Sequence, residues 1–162
     1  MLTTGRKSWL LQFLAIGLVA VLWSCGGSEK QEVIEADPNG LVKLVVNSSD
    51  EMRYDQRSFR VKAGAKIELT LNHTGKMGKR LMGHNLVILK PGTDLNDFAS
   101  RALQAEESDY IPEGDEMIGH TRLIGGGESD TIIFDVLEKG RYPFICTFPG
   151  HYSMMRGAIT VE

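Results

Sequence analysis

The chain has 162 residues and a formal net charge of −3 at pH 7. Its basic residues do not cluster beyond the N-terminal segment, so the composition argues against nucleic acid as a partner. It contains two cysteines, Cys25 and Cys146, which excludes a fold built on several disulfides.

Residues 1–24 have the pattern of a lipoprotein signal peptide. Arg6 and Lys7 precede an apolar run over residues 9–23 that is shorter than the ~20 apolar residues of a membrane helix. The four residues ending at Cys25, LWSC, resemble a bacterial lipoprotein cleavage box. We therefore expect cleavage before Cys25, lipidation of that residue, and attachment to the cell envelope on its periplasmic or extracytoplasmic side. The alternative is an uncleaved signal anchor.

The mature chain is predicted to have two parts. Residues 25–40 comprise the lipidated cysteine and a segment that is polar, rich in Gly and charge, and poor in aromatic residues. This composition predicts a flexible tether. Residues 41–162 are long enough to form one domain with a hydrophobic core.

Most of this domain is predicted to be β-strand. Lys66–Asn72 alternates strictly, with Ile67, Leu69 and Leu71 on one face. Six more apolar runs are predicted to be strands: Leu41–Val46, Ser58–Val61, Asn85–Leu89, Thr131–Val136, Arg141–Cys146 and Gly157–Val161. Short strands separated by turn signals predict an all-β sandwich or barrel.

One helix is expected to interrupt the strands. Thr93 is predicted to cap it. The apolar residues that follow have helical spacing, namely Leu95, Phe98, Ala99, Ala102 and Leu103. The pattern predicts one short helical excursion over the sandwich.

The segment CTFPGHYSMM, residues 146–155, concentrates metal-binding side chains. The loop after Cys146 can bring His151 beside the sulfur, and Met155 follows one helical turn later. Thiolate, imidazole and thioether suit copper, and two His with one Cys and an axial Met form the blue-copper arrangement. Of the other three histidines, His84 lies directly before a strand, and strand ends cluster at one pole of a sandwich.

The motifs MGHN at 82–85, HTRLIG at 120–125, and CTFPGH at 146–151 followed by Met155 resemble those of the azurins, a family of blue-copper cupredoxins. The resemblance runs from about Leu44 to Val161. It implies a cupredoxin-like Greek-key sandwich of eight strands that holds one type 1 copper ion. The implied ligands are His84, Cys146 and His151 in the equatorial plane, Met155 as the weak axial ligand, and the Gly83 carbonyl as a distant axial contact.

The same resemblance assigns roles around these ligands. Asn85 would tie the two ligand loops together, and the backbone N–H groups of Asn85 and Phe148 would donate to the sulfur and tune the potential. An apolar patch for docking in electron transfer would surround the exposed edge of His151. Its members are Met52, Met77, Met82, Phe148, Pro149 and Met154. Plain packing remains the alternative for the methionines in this set.

Two features depart from the azurin pattern. The domain has no cysteines for the N-terminal disulfide that azurins carry. Leu86 stands where azurins have a core tryptophan, and both tryptophans, Trp9 and Trp23, lie in the predicted leader. The mature protein is therefore expected to lack tryptophan fluorescence.

Several residues have a second interpretation. Met154 competes with Met155 for the axial position, although spacing favours Met155. His73 is either a residue that tunes the site with pH or a satisfied, partly buried histidine, and His120 is expected to be a surface residue without a role. Cys146 is alternatively a small buried hydrophobe, a ligand of structural zinc, or a nucleophile paired with His151.

The resemblance implies a one-electron carrier that cycles between Cu(I) and Cu(II) and is not an enzyme. Its expected partners are redox proteins such as c-type cytochromes, or copper- or haem-containing reductases and oxidases, with the membrane held through the lipid anchor. No small-molecule substrate is expected. The alternatives are a copper-binding or delivery protein without a shuttle role and a cysteine-dependent enzyme.

Overall fold

The computed structural model of the protein describes residues 32–135 and 138–162. The predicted leader, its cleavage site, Cys25 and the start of the predicted tether lie outside these residues. Among the helices in the two described ranges, none combines the length and apolarity of a membrane span.

Nine strands in the described ranges form two sheets, which confirms the prediction of an all-β sandwich. This is one strand more than the eight that the resemblance implied. The nine strands are β1 Leu41–Ser49, β2 Arg53–Tyr54, β3 Ser58–Val61, β4 Lys66–His73, β5 Val87–Leu89, β6 Met117–His120, β7 Ser129–Asp135, β8 Gly140–Ile145 and β9 Arg156–Val161. One sheet has the order β2-β1-β4-β7 and the other the order β3-β9-β8-β5-β6. Most neighbouring strands are not consecutive in the chain, as Greek-key connections require.

The alternation of β4 determines which of its faces is buried. Ile67, Leu69 and Leu71 are buried, while the residues between them are at least partly exposed. β4 pairs in parallel with β1, where Leu69 lies beside Leu44, and antiparallel with β7. The buried face packs against the inner face of the second sheet, where the Phe144 ring contacts the rings of Tyr54 and Phe59 at centroid distances of 5.7 and 6.2 Å.

The excursion between β5 and β6, residues 90–116, contains helix α2, Leu95–Ala102, and a 3₁₀ turn, Glu106–Ser108. The predicted cap at Thr93 was wrong. Asp94 caps α2, because its carboxylate accepts from the backbone N–H groups of Asn96 and Asp97 at 2.9 and 3.2 Å. Thr93 lies one residue too early, and its hydroxyl donates instead to the Lys90 carbonyl.

Two further differences concern segments with weak sequence patterns. The short strands β2 and β6 and the one-turn helix α1, Lys79–Met82, were not predicted. Residues 32–40, which composition assigned to the tether, contact the domain. Ile34 donates its N–H to the Arg60 carbonyl at 2.8 Å and forms a parallel bridge with Val61.

Candidate metal centre

The segment 146–155 folds into a closed loop at the end of β8. The Cys146 N–H donates to the Met155 carbonyl at 2.9 Å, so the two ends of the loop are joined. The N–H groups of Met154 and Met155 both donate to the His151 carbonyl, which forms the predicted coil after the histidine. Gly150 has a φ of +83°, in the left-handed region that glycine adopts without strain. The side chains of Cys146 and Met155 are both completely buried.

This loop brings the thiol and an imidazole together. The Sγ of Cys146 lies 3.7 Å from the Nδ1 of His151. Cys146 is a free cysteine, and His151 is almost entirely buried. A soft sulfur donor and an imidazole nitrogen therefore face the same point.

His84 approaches from the other ligand segment, residues 82–85. Reciprocal backbone bonds with Ile124, at 2.9 and 2.8 Å, hold it in place. Its ring meets that of His151 edge to face, with centroids 5.1 Å apart. Both ring nitrogens of His84 are buried and have no hydrogen-bond partner. Because a buried polar atom without a partner costs free energy, these nitrogens indicate a missing ligand.

The protonation states of these groups also suit a metal ion. Burial, with smaller effects from His73 and His151, lowers the pKa of His84 to about 3. Burial also lowers the pKa of His151. Both rings are therefore neutral near pH 7, with a lone pair available for a metal. Burial raises the pKa of the Cys146 thiol to about 11, so binding a metal must displace the thiol proton.

Hydrogen bonds to the Cys146 sulfur offset part of this rise in its pKa. Hydrogen bonds from the backbone N–H groups of Asn85 and Phe148 lower the pKa of Cys146, and a smaller contribution comes from the Tyr54 hydroxyl. Such bonds stabilise negative charge on the sulfur.

Asn85 links the two ligand segments. Its Nδ2 donates to the Thr147 hydroxyl at 2.7 Å, and its Oδ1 accepts from the Thr147 N–H at 2.9 Å. The Tyr54 hydroxyl donates to the Asn85 carbonyl from the opposite sheet. All three residues are buried, so they fix the separation of residues 84 and 146.

Gly83 precedes His84 in a place with no room for a side chain. A Cβ there would lie 2.6 Å from the Lys79 carbonyl oxygen and 2.9 Å from the Phe148 ring. The backbone of Gly83 is therefore packed closely between helix α1 and the loop that carries Phe148.

The remaining histidines lie in different surroundings. His73 stacks on His84 at a centroid distance of 4.3 Å. Its Nε2 lies 2.9 Å from the Met82 carbonyl, and its Nδ1 accepts from the Gly75 N–H at 3.1 Å. Both nitrogens are thus satisfied, and the bonds define the Nε2–H tautomer. His120 is exposed, at the end of β6.

The residues of the predicted docking patch differ in exposure. Pro149 is exposed, and Met77 and Met154 are 46% and 44% exposed. Met82 is partly buried, whereas Met52 and Phe148 pack against the core. Sequence reasoning missed Leu81, which is 76% exposed and directly precedes Met82.

Sequence reasoning also missed two tyrosines near the ligands. Tyr54 reaches Asn85 from the other sheet, and the Tyr110 ring covers Phe148 edge to face at 5.4 Å. Tyr110 belongs to the helical excursion, so that segment closes one side of the ligand loop. No periodic pattern marks either contact, because each joins residues more than 30 positions apart.

The donor set fits a thiophilic ion that accepts mixed ligands. Within the described part of the chain, no three His, Cys, Asp or Glu side chains are spaced to hold a metal ion as they stand. The fit depends instead on the orphaned His84 nitrogens, the Cys146–His151 pair, and the buried thioether of Met155. Two imidazoles, one thiolate and one thioether favour copper over zinc, which prefers four strong ligands.

Comparisons with known proteins identify the same chemistry. Residues 41–162 match the family described as copper binding proteins of the plastocyanin/azurin family. The chain is 42% identical over 120 residues to azurin of Alcaligenes faecalis, covering 70% of this chain and 93% of that azurin. It is 39% identical over 126 residues to outer membrane protein H.8 of Neisseria gonorrhoeae, covering 75% of this chain and 68% of H.8. Among solved structures, dithionite-reduced auracyanin of Roseiflexus castenholzii superposes with a TM-score of 0.67 and 32% identity, covering 74% of this chain and 96% of auracyanin.

Proposed function

This chain belongs to the plastocyanin/azurin family of copper-binding proteins and has one type 1 copper ion as its cofactor, and from that premise we propose that it carries single electrons between redox proteins of the cell envelope. When bound, the copper supplies the Cu(I)/Cu(II) couple. The chain contributes the donor atoms, their fixed positions and the exclusion of water.

The observation that carries this proposal is the convergence of His84, Cys146 and His151. Their side chains are buried together, and the His84 nitrogens have no partner in the protein. We propose these three as the equatorial ligands and Met155 as the axial ligand. The Gly83 carbonyl is proposed as the distant axial contact, since Gly83 is fixed beside His84.

Rigid positioning of the donors is what an electron carrier needs. The Asn85–Thr147 pair and the Cys146–Met155 backbone bond hold both ligand segments without help from a metal. A site that moves little between oxidation states has a small reorganisation cost. The N–H groups of Asn85 and Phe148 draw charge from the sulfur, which favours the reduced ion and raises the potential.

Electrons are proposed to pass through the His151 edge. His151 is almost entirely buried rather than exposed at its edge as expected, so the proposed path to the surface passes its loop neighbours, of which the apolar Pro149 and Met154 reach the surface. A small apolar surface suits the brief encounters of electron-transfer proteins. Its partners are proposed to be c-type cytochromes or copper- or haem-containing reductases and oxidases.

Substrate chemistry at the thiol is not part of the proposal. Cys146 is wholly buried, and burial raises its pKa to about 11, so it is neither accessible nor activated as a nucleophile. A cysteine-dependent enzyme is therefore disfavoured. A delivery protein is also disfavoured, because it must release its copper and all the donors here are buried.

Attachment to the envelope by lipid on Cys25 is the second part of the proposal. The signal pattern of residues 1–24 supports it, as does the similarity to outer membrane protein H.8. Labelling cells with a fatty-acid analogue is expected to mark the wild-type chain and leave Cys25→Ser unlabelled. Equal labelling of both would remove the anchor from the account.

Voltammetry of the copper-loaded protein tests the carrier against the delivery alternative. A carrier gives a reversible one-electron wave whose peak separation stays small at fast scan rates. An irreversible wave, together with rapid loss of Cu(I) to a chelator, would instead establish a delivery protein.

A further inference from the structure

Four arginines form a strip that begins at the end of the molecule carrying the ligand loop. Arg57, Arg141 and Arg156 line one cavity of about 530 Å³, over a floor that includes Pro143 and Gly157. A second cavity of about 360 Å³ adjoins it at Arg57 and is lined by Arg53 and Met154 among others. We call these four side chains the arginine groove.

The strands fix the position of this groove. Arg156 begins β9 directly after Met155, and it lies opposite Ile145 of β8. The Arg57 Nε donates to the Arg156 carbonyl at 3.0 Å. The Arg156 guanidinium lies 5.8 Å from the centre of the Tyr152 ring, which holds it over an aromatic face.

Gly157 lies in the floor of the groove, where a side chain would not fit. A Cβ on Gly157 would lie 2.3 Å from the Phe144 ring and 2.4 Å from the Arg57 carbonyl oxygen. No side chain fits there, so the guanidinium groups flank backbone.

None of the four guanidiniums forms an ion pair with any carboxylate in the described ranges. By contrast, Arg101 and Arg122 each bind a carboxylate of the domain. Two acidic residues that neighbour lining residues of the groove in sequence are already engaged within the domain. Asp55 accepts two bonds from Asn47, and Asp94 caps helix α2. The groove is thus concentrated positive charge on a chain whose net charge is −3.

We propose that the arginine groove is the docking surface for an acidic rim on the redox partner. The proposal rests on the electron-carrier function proposed above and specifies the charge of the partner. Guanidinium groups bind carboxylates in a planar, two-point geometry, which orients a partner as well as attracting it. Opposite charges beside an apolar contact raise the rate of productive encounter.

The location favours an acidic protein over an anionic membrane. Arg53 and Arg57 share a cavity with Met154, which lies on the ligand loop close to the proposed electron exit. A membrane bound along the groove would cover that exit. A protein partner bound there would bring its own redox centre towards His151.

The test measures electron exchange between the reduced, copper-loaded protein and two forms of ferric cytochrome c. One form is succinylated on its lysines and is acidic, and the other is native and basic. At low ionic strength, Arg57→Glu with Arg156→Glu is expected to lower the second-order rate constant with the acidic form about tenfold and to raise it with the basic form. Added salt is expected to remove both differences.

A matched control keeps the net charge change the same. Lys43→Glu with Lys66→Glu adds the same negative charge on the other sheet, on β1 and β4. Both lysines are more than half exposed, and the ion pairs that they lose, with Glu68 and Asp135, contribute little to stability. This control pair is expected to change either rate constant less than about twofold. A second groove pair, Arg53→Glu with Arg141→Glu, changes two side chains that form no hydrogen bond within residues 32–135 and 138–162, and it is expected to reproduce the loss.

Equal losses in the groove and control pairs would overturn the proposal, because net charge would then explain the rates. Binding to phosphatidylglycerol vesicles in a Cys25→Ser background, lost in the groove variants without any change in exchange with the acidic cytochrome, would also overturn it in favour of a membrane site. Failure of the carrier function itself has a different signature. The wild-type protein would then exchange electrons with neither cytochrome.

Discussion

The two ligand segments, residues 82–85 and 146–155, and the helical excursion, residues 90–116, are held by different kinds of contact. The ligand segments are cross-braced by buried bonds such as Asn85 to Thr147. The excursion is anchored by an apolar cluster in which Phe98 packs against Val87, Leu89 and Ile145. Its polar contacts are the cap of α2 and partly exposed ion pairs, such as Arg101 with Asp97 and Glu116. Buried, fully paired polar contacts specify one geometry, whereas exposed ion pairs contribute little to stability. The ligand segments, in which the donor atoms must not move, are therefore the more rigidly fixed of the two regions.

The largest effect of a substitution is expected from the loss of the brace between the ligand segments. Asn85→Ala removes both bonds to Thr147 and leaves a buried N–H unpaired, so the free energy of unfolding should fall by about 2–4 kcal/mol. Denaturant unfolding of the copper-free protein measures this. The matched change in the excursion is Asn96→Ala, whose bond to Tyr152 is exposed, and it should cost less than about 1 kcal/mol. Equal losses at the two sites would contradict the comparison.

Low pH should lower the free energy of unfolding, because His84 resists protonation in the folded state. Its pKa is lowered from 6.5 to about 3 in the folded state, so the unfolded chain takes up a proton first as the pH falls. The contribution of His84 to stability is complete above pH 6.5 and is lost progressively as the pH falls towards about 3. We expect the copper-free protein to lose roughly 2–4 kcal/mol over that interval. In His84→Gln the slope against pH should be clearly smaller, and an unchanged slope would assign the acid sensitivity elsewhere.

A smaller effect is expected at Tyr54, which supports Asn85 from the other sheet. Tyr54→Phe keeps the buried ring and removes the hydroxyl that donates to the Asn85 carbonyl. The loss should be about 1 kcal/mol, measured by denaturant unfolding. The control is Tyr110→Phe, because the Tyr110 hydroxyl has no recorded partner among the described residues, and this change should have almost no effect on stability. The reverse order of the two losses would show that Tyr54 does not brace the site.

The smallest effect is expected within the excursion itself. Asp97→Asn removes an exposed pair with Arg101 at spacing i, i+4, so the cost should be below about 0.5 kcal/mol. The shape of the copper absorption spectrum should stay unchanged. A shifted spectrum would mean that the excursion and the ligand segments are coupled more tightly than their contacts indicate.

The sequence predicted those features that depend on local pattern. The alternation of Lys66–Asn72 identified β4 because one face is buried along its whole length. The donors within 146–155 were predictable because a short loop joins them. The β2 strand escaped prediction because its two residues are too few to show an alternating pattern. The β6 strand has four residues and is fixed by pairing with β5, on the other side of the excursion.

Long-range polar contacts could not be predicted from the sequence, for the same physical reason. The Tyr54 bond to Asn85 and the gathering of Arg57, Arg141 and Arg156 depend on how the sheets are paired, which no single segment encodes. The cap of α2 was wrong by one residue because Thr93 and Asp94 are both good capping residues. The fold and the donor types thus followed from the sequence, whereas the braces and the surface charge required the structure.

The most direct test of the account is the visible absorption spectrum of the copper-loaded protein, beside those of Cys146→Ser and Cys25→Ser. The account predicts an intense band towards the red end of the visible from thiolate-to-Cu(II) charge transfer, present in wild type and Cys25→Ser and absent in Cys146→Ser. A colourless oxidised protein, or a band that survives in Cys146→Ser, would contradict the proposal that Cys146 binds the copper.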